Sequence, residues 1–139
     1  MTLRIGEIAE RSGVTPRTIR YYEELGLLPR TEREHGKHRI YTEADVERLQ
    51  ELTRLRDLLG LSLEELRSML IAEDARAEVR RRFYATDSPD EQRDLLDRAL
   101  PHIDTQLGLV RRKLDELQQL ERDLVETRKR VQRRRRDLG

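Results

Sequence analysis

The sequence predicts a mainly helical chain of two unlike halves: a compact helix-turn-helix half and a long helix patterned for self-association. Three observations carry the prediction. Glycine, proline and threonine or serine stand at helix-end positions along the first hundred residues, where backbone geometry makes them start and stop helices. A polar stretch holding proline and glycine, residues 28–41, breaks the helical pattern. From residue 100 onward leucine, isoleucine and valine recur at every seventh position, the spacing of a coiled-coil seam.

The elements follow in order. A first short helix is expected over Gly6 to Arg11, stopped by Gly13, because glycine enters the left-handed region at little cost. Thr15-Pro16 reads as an N-cap followed by the first helical position, and the second helix runs to Glu24 with Gly26 ending it. Two short helices split by a glycine turn make a helix-turn-helix pattern. Leu28 to Tyr41 reads as a two-strand wing with Gly36 near its tip. Thr42 and Asp45 cap a third helix whose apolar stripe is Val46, Leu49, Leu52, Leu55 and Leu59, and Gly60 ends it. Ser62 to Glu65 forms a capping box for a fourth helix, with Leu66, Met69 and Leu70 on its buried face. A further helix is expected from Asp74 to Ala85. Ser88, Pro89 and Glu91 start another, which runs to about Ala99 before Pro101 kinks or restarts it. Beyond Pro101 the seam is Ile103, Leu107, Val110, Leu114, Leu117, Leu124 and Val131, with Glu121 and Arg128 as charged positions within it. The expected division is residues 1–73 as a winged helix-turn-helix domain, 74–100 as a helical connector, and 101–139 as a dimerisation coil with a basic tail.

Composition sets the function classes. The 139-residue chain carries 29 Lys+Arg against 28 Asp+Glu, so its net charge of +1 does not by itself point to nucleic acid. The distribution does, because arginines gather at 17–20, 30–39, 80–82 and 133–136. There is no cysteine, which excludes disulfides, thiolate metal sites and thiol switches within this sequence. No stretch has the length of an apolar membrane span and no signal peptide is recognised, so a cytoplasmic location and no membrane partner are expected. No glycine-rich phosphate loop, nucleophile–base pair or metal cluster stands out; no enzyme activity, cofactor or metal is expected.

The second helix carries the chemistry. Ile19 should anchor it, leaving Arg17, Thr18, Arg20 and Tyr21 on exposed turns. Arginine makes bidentate contacts to guanine or phosphate, and tyrosine hydroxyls and backbone amides hold phosphates. The Thr15-Pro16 start points free amides toward an anion. The wing adds Arg30, Arg33, Lys37, His38 and Arg39, a cationic cluster suited to the phosphate backbone, and Arg4 and Tyr41 complete the set assigned to DNA binding.

The strings Ile5-Gly6-Glu7-Ile8-Ala9, Gly13-Val14-Thr15, Thr18 to Leu28, Arg39-Ile40-Tyr41 and Leu59 to Leu66 lie in the order and at the spacing of the mercury-resistance-regulator (MerR) family, which the first half of the chain resembles. The resemblance implies a winged helix-turn-helix and a homodimer joined by an antiparallel coiled coil of the C-terminal long helices. It implies that Arg20, Tyr21 and Arg39 contact the DNA backbone and that Tyr41 supports the wing; Arg17 and Thr18 are the base-reading candidates. It also implies a regulator that binds a palindrome in an overlong promoter spacer and distorts it so that RNA polymerase engages both promoter elements, a form of indirect readout. Two departures stand out. Asp57 occupies a place where many relatives carry a basic residue, with Arg56 adjacent to substitute for it. The cysteines through which metal and redox members sense are missing, so soft-metal and iron–sulfur sensing are not expected. His102 is read as an exposed helix-start residue rather than a ligand.

Val79, Phe83 and Tyr84 mark a possible effector region for an unidentified small molecule. The favoured reading is a helical brace in which Val79, Phe83, Leu95, Leu96 and Leu100 pack onto the dimer. Glu121 and Arg128 neutralise each other across the seam or the coil frays there, and Arg133–Arg136 is read as a solvated tail in preference to a contact with DNA or with the partner's DNA-binding half. The alternative to a transcription regulator is an effector-free architectural or excisionase-like DNA-binding protein.

Overall fold

The computed structural model of the chain describes residues 2–28, 33–34 and 38–139, with 33, 34, 38 and 39 described through their backbone only. The chain divides into two compact units, Met1–Glu78 and Val79–Gly139.

The first unit opens with α1 (Ile5–Ser12) and α2 (Pro16–Glu24). Glu7 reaches back to accept from the Arg4 backbone N–H at 3.2 Å, and Gly13 closes α1 at φ 76°, donating to the Ala9 carbonyl. A side chain at Gly13 would be strained in that left-handed conformation, so glycine permits the abrupt turn between the two helices. A hairpin of β1 (Arg33–Glu34) and β2 (His38–Arg39) follows, antiparallel with Arg33 opposite Arg39 and Glu34 opposite His38. Immediately after β2, Tyr41 exchanges both backbone hydrogen bonds with Leu3, at 2.7 and 2.8 Å. The N-terminus thus supplies a third extended segment to the base of the hairpin. The expected wing tip at Gly36 lies outside the described residues.

α3 (Glu43–Leu59) starts where Thr42 donates its backbone N–H to the Asp45 carboxylate at 2.9 Å, and Gly60 ends it at φ 62°. The capping box of α4 is reciprocal: Ser62 N–H donates to Glu65 Oε1 at 2.9 Å, and Glu65 N–H donates to Ser62 Oγ at 3.2 Å. The core of this unit collects Ile8, Ile19, Leu27, Leu28, Leu49, Leu52, Leu66 and Leu70, all nearly inaccessible to water. These come from every helix of the unit, and α1 packs against both α2 and α3. Full burial of such side chains contributes roughly 1.5–3 kcal/mol each.

Two expected breaks are not there. α4 runs without interruption from Leu63 to Ala85, so no new helix begins at Asp74. The sequence from Ile71 to Ala85 holds no glycine, proline or capping residue able to stop it. α5 (Pro89–Asp137) is one helix of 49 residues that passes through Pro101. Proline removes one intrahelical donor, but the helix is already established ahead of it and continues for many turns, so no restart occurs. Ser88 caps α5 as expected, its Oγ accepting from the Glu91 N–H at 3.3 Å, and the Thr86 hydroxyl donates to Glu91 at 2.8 Å.

α5 has two apolar faces. On one, Leu95 and Leu109 are buried, and Ala99, His102, Gln106 and Lys113 continue the same spacing half-buried. His102 is therefore an interior helix residue rather than an exposed helix start. On the other face Leu96, Leu100, Leu107, Leu114, Leu117, Leu124 and Val131 are exposed, with Ile103 and Val110 half-buried between them. Of the brace residues expected from sequence, Leu95 is buried, whereas Leu96 and Leu100 belong to the exposed row.

Candidate nucleic-acid interface

α2 owes its position to three side chains. Ile19 is fully buried, and Tyr22 and Glu23 are nearly so; their spacing of three and four residues puts them on one face. The opposite face is therefore fixed by elimination. It carries Arg17, Arg20, Tyr21 and Glu24, all exposed and themselves spaced by three and four. Thr18 lies on the flank, half-buried. The start of the helix is rigidly made: Thr15 Oγ1 accepts from Thr18 N–H at 3.1 Å and donates to Thr18 Oγ1 at 2.9 Å. The Thr18 hydroxyl proton stays available for an outside acceptor.

Buried groups hold this helix from behind. The Tyr41 side chain is fully buried, and its hydroxyl donates to Glu23 at 2.5 Å. The sequence placed Tyr41 among the DNA-binding residues; its hydroxyl faces α2 and joins the base of the hairpin to the helix. Arg48, on α3, donates to the Leu27 carbonyl at 3.1 Å and forms a two-pronged pair with Asp74 of α4 at 2.8 and 2.9 Å. It ties the chain leaving α2 to both later helices. Arg11 of α1 grips Glu43 of α3 at 2.5 and 2.7 Å; this hydrogen-bonded pairing raises the arginine's pKa and lowers the carboxylate's. Arg56 donates to Asp57 at 3.1 Å and to the Tyr22 hydroxyl at 3.3 Å, and the Asp57 hydrogen bond is the first reason its pKa rises. Arg56, the expected substitute for the basic residue that Asp57 replaces, is thus engaged within the fold.

Arg17 and Arg20 differ from these. Among the described residues neither has an ion-pair or hydrogen-bond partner for its guanidinium. Two unneutralised cations and a tyrosine on a capped helix can engage phosphates and guanine edges. Arg4 is exposed at the N-cap of α1. Arg30 and Lys37 lie outside the described residues, as do the side chains of Arg33, His38 and Arg39.

Reading the sequence missed Glu24 on the outer face of α2, Arg48 behind it, and Leu3 at the hairpin base. Glu24 was recoverable from the helical spacing alone; the contacts of Arg48 and Leu3 are long-range and leave no local signal. In the second unit Val79 and Phe83 are half-buried and Tyr84 is exposed. The rings of Phe83 and Tyr84 meet edge to face, with centroids 5.3 Å apart.

A profile described as MerR HTH family regulatory protein matches residues 3–73. The HTH-type transcriptional regulator YfmP of Bacillus subtilis (strain 168) is 34% identical over 113 residues, covering 81% of this chain and 80% of YfmP. The mercuric resistance operon regulatory protein of Bacillus cereus is 35% identical over 132 residues, covering 94% and 86% of the two chains. Among solved structures, the transcription regulator PbrR691 from Ralstonia metallidurans CH34, in complex with lead(II), matches with a TM-score of 0.50 and 31% identity over 91% of this chain and 86% of that one.

Proposed function

The chain belongs to the MerR family of helix-turn-helix regulatory proteins, and from that membership we propose a homodimer that reads a palindrome within a promoter and changes its geometry. It is a transcription regulator that binds promoter DNA. The observation that carries the finer reading is the outer face of α2, where Arg17, Arg20 and Tyr21 project from a helix whose other face is sealed by Ile19, Tyr22 and Glu23. In this reading Arg17 and Thr18 contact base edges near the start of the helix, and Arg20 and Tyr21 hold phosphates. The bare heptad row of α5 supplies the dimer contact, which sets the spacing of the two half-sites.

RNA polymerase is the partner at the promoter, and a DNA-binding regulator of this kind works in the cytoplasm; among the described residues no helix is long and apolar enough to cross a membrane. Two relatives are named for mercury resistance and for a bound lead ion. Soft ions of that kind are held by thiolates, and this chain has no cysteine. Its three histidines, His35, His38 and His102, do not offer the same donor set. Soft-metal sensing through thiolates is therefore not the reading for this chain.

The test is a nuclease footprint of the purified protein on the DNA upstream of its own gene. The expected result is protection of one palindrome lying between two promoter elements set too far apart. Equal protection everywhere, or none, would favour an architectural DNA-binding protein instead.

A further inference from the structure

The charge of α5 is unevenly distributed along its length. Of residues 128–136, seven of the nine are arginine or lysine. Among the described residues Arg128, Lys129, Arg134, Arg135 and Arg136 have no side-chain ion-pair partner. The start of the same helix is the reverse: residues 90–104 hold Asp90, Glu91, Asp94, Asp97 and Asp104 against Arg93 and Arg98. All five carboxylate residues are exposed. The ion pairs there are short-range ones on the same helix, Asp90 with Arg93 and Asp94 with Arg98, which are weak and leave the carboxylates open to a better partner.

We propose that the basic end of α5 seats on the acidic start of α5 in a second copy, so that charge as well as apolar burial selects the antiparallel pairing. The inference rests on the homodimer proposed above and adds the role of residues 128–136. A parallel pair would stack basic end on basic end and acidic start on acidic start. Reversing the second copy about the middle of the seam, between Leu114 and Leu117, brings residues 128–136 level with residues 95–103 of the other chain. In the same register Leu114 faces the second copy's Leu117, Leu107 faces its Leu124, and Leu100 faces its Val131. The same register sets Arg128 level with Ile103 and Glu121 level with Val110, so the charged seam positions do not face each other as the sequence suggested, and the charge match lies between the basic end and the acidic flank. Arginine side chains reach several ångströms along a helix that rises about 1.5 Å per residue, so Asp97 and Asp104, which flank the seam row, fall within range, with Asp94 just beyond them.

The experiment uses the full chain without DNA and measures the dimer dissociation constant by sedimentation equilibrium. The parent is measured first; a parent that stays monomeric overturns the homodimer itself. One variant combines Arg133→Glu, Arg134→Glu, Arg135→Glu and Arg136→Glu. A second combines Asp94→Lys, Asp97→Lys and Asp104→Lys. A third carries both sets. Each single set should weaken the dimer about tenfold or more, because several exposed attractive pairs turn repulsive together. The doubly reversed chain should recover to within about threefold of the parent, since antiparallel contact again sets opposite charges together. Added salt should weaken the parent dimer and strengthen the singly reversed ones, whose like charges it screens. Recovery in the third variant also rules out simple misfolding of the first two. An unchanged dimer in the first variant would overturn the inference. If its DNA affinity fell at the same time, the basic end would be a phosphate contact. A third variant no better than the first two would overturn it as well.

Discussion

Tyr41→Phe removes a single oxygen from a fully buried side chain and leaves its shape and its backbone pairing with Leu3 in place. What is lost is the hydrogen bond to Glu23, whose side chain is itself only 5% exposed. A buried acceptor deprived of a donor costs about 1–3 kcal/mol. Glu23 has a further interaction, so its carboxylate is not orphaned outright and the low end of that range, about 1–1.5 kcal/mol, is expected. With a urea dependence of roughly 1–3 kcal/mol per molar for a protein of this size, the unfolding midpoint should fall by about 0.3–1.5 M at fixed protein concentration. The slope should not change, because the substitution leaves the buried surface the same. Glu23→Gln in a double-substitution cycle should show a coupling of at least about 0.5 kcal/mol. The salt dependence of DNA binding should stay as in the parent, since the hydroxyl faces the fold and not the solvent. A Tyr41→Phe midpoint within about 0.1 M of the parent, or additive effects in the cycle, would refute the view that this contact braces α2 from behind.

Other outcomes can be checked on the same protein. Arg20→Ala should lower the slope of log affinity against log salt by about one per subunit, as loss of a phosphate contact does, while Arg17→Ala should relax base preference at one position of each half-site at a cost of about 1–3 kcal/mol; gel-shift titrations at several salt concentrations on matched and mismatched sites separate the two. Leu117→Asp places a charge in the middle of the exposed row of α5 and should convert the dimer to monomer at micromolar concentration, read by sedimentation, with the helical circular dichroism of the first unit retained. Acid unfolding reports on Arg11 and Glu43. Hydrogen bonding to Arg11 lowers the folded pKa of Glu43, so its stabilisation is fully present above the unfolded value near ~4.3 and is lost as pH falls through the lower folded value. Glu43→Gln should therefore flatten the stability profile on the acid side of about pH 4, and an unchanged acid limb would remove this pair from the account.

Most helix ends were legible because capping is local. Thr15-Pro16, Thr42 with Asp45, Ser62 with Glu65 and Ser88-Pro89 each satisfy backbone donors from within three residues, and the structure starts helices at all of them. The heptad row was legible for the same reason: a fixed spacing needs no knowledge of what covers it. What failed was local evidence overruled by context. Asp74 was read as a fresh start although nothing before it could end α4, and its carboxylate serves Arg48 instead. Pro101 was read as a kink or a restart, and no restart occurs because its surroundings are strongly helical. Leu109 was passed over because it falls outside the heptad row, yet it is buried on the second face of α5. That face, like the pairing of Leu3 with Tyr41, depends on residues distant in sequence, and no spacing rule announces it.

Why a chain with nearly equal numbers of acidic and basic residues should bind DNA is answered by where its charges are already paired. Arg11, Arg48, Arg54 and Arg56 face carboxylates of their own unit, and each such pair cancels most of its field beyond about a Debye length. Among the described residues Arg17 and Arg20 have no ion-pair partner, and they stand on the one face of α2 that the core does not claim. Cations without an ion-pair partner are what a phosphate backbone can use, because release of condensed counterions rewards every cation that arrives unpaired. Glu24 on the same face works against this attraction, so whatever base step or phosphate gap lies opposite it must accommodate a carboxylate. In the proposed reading the outer face of α2 is therefore selective as well as cationic, with base preference tied to the same four positions whose spacing the buried face dictates.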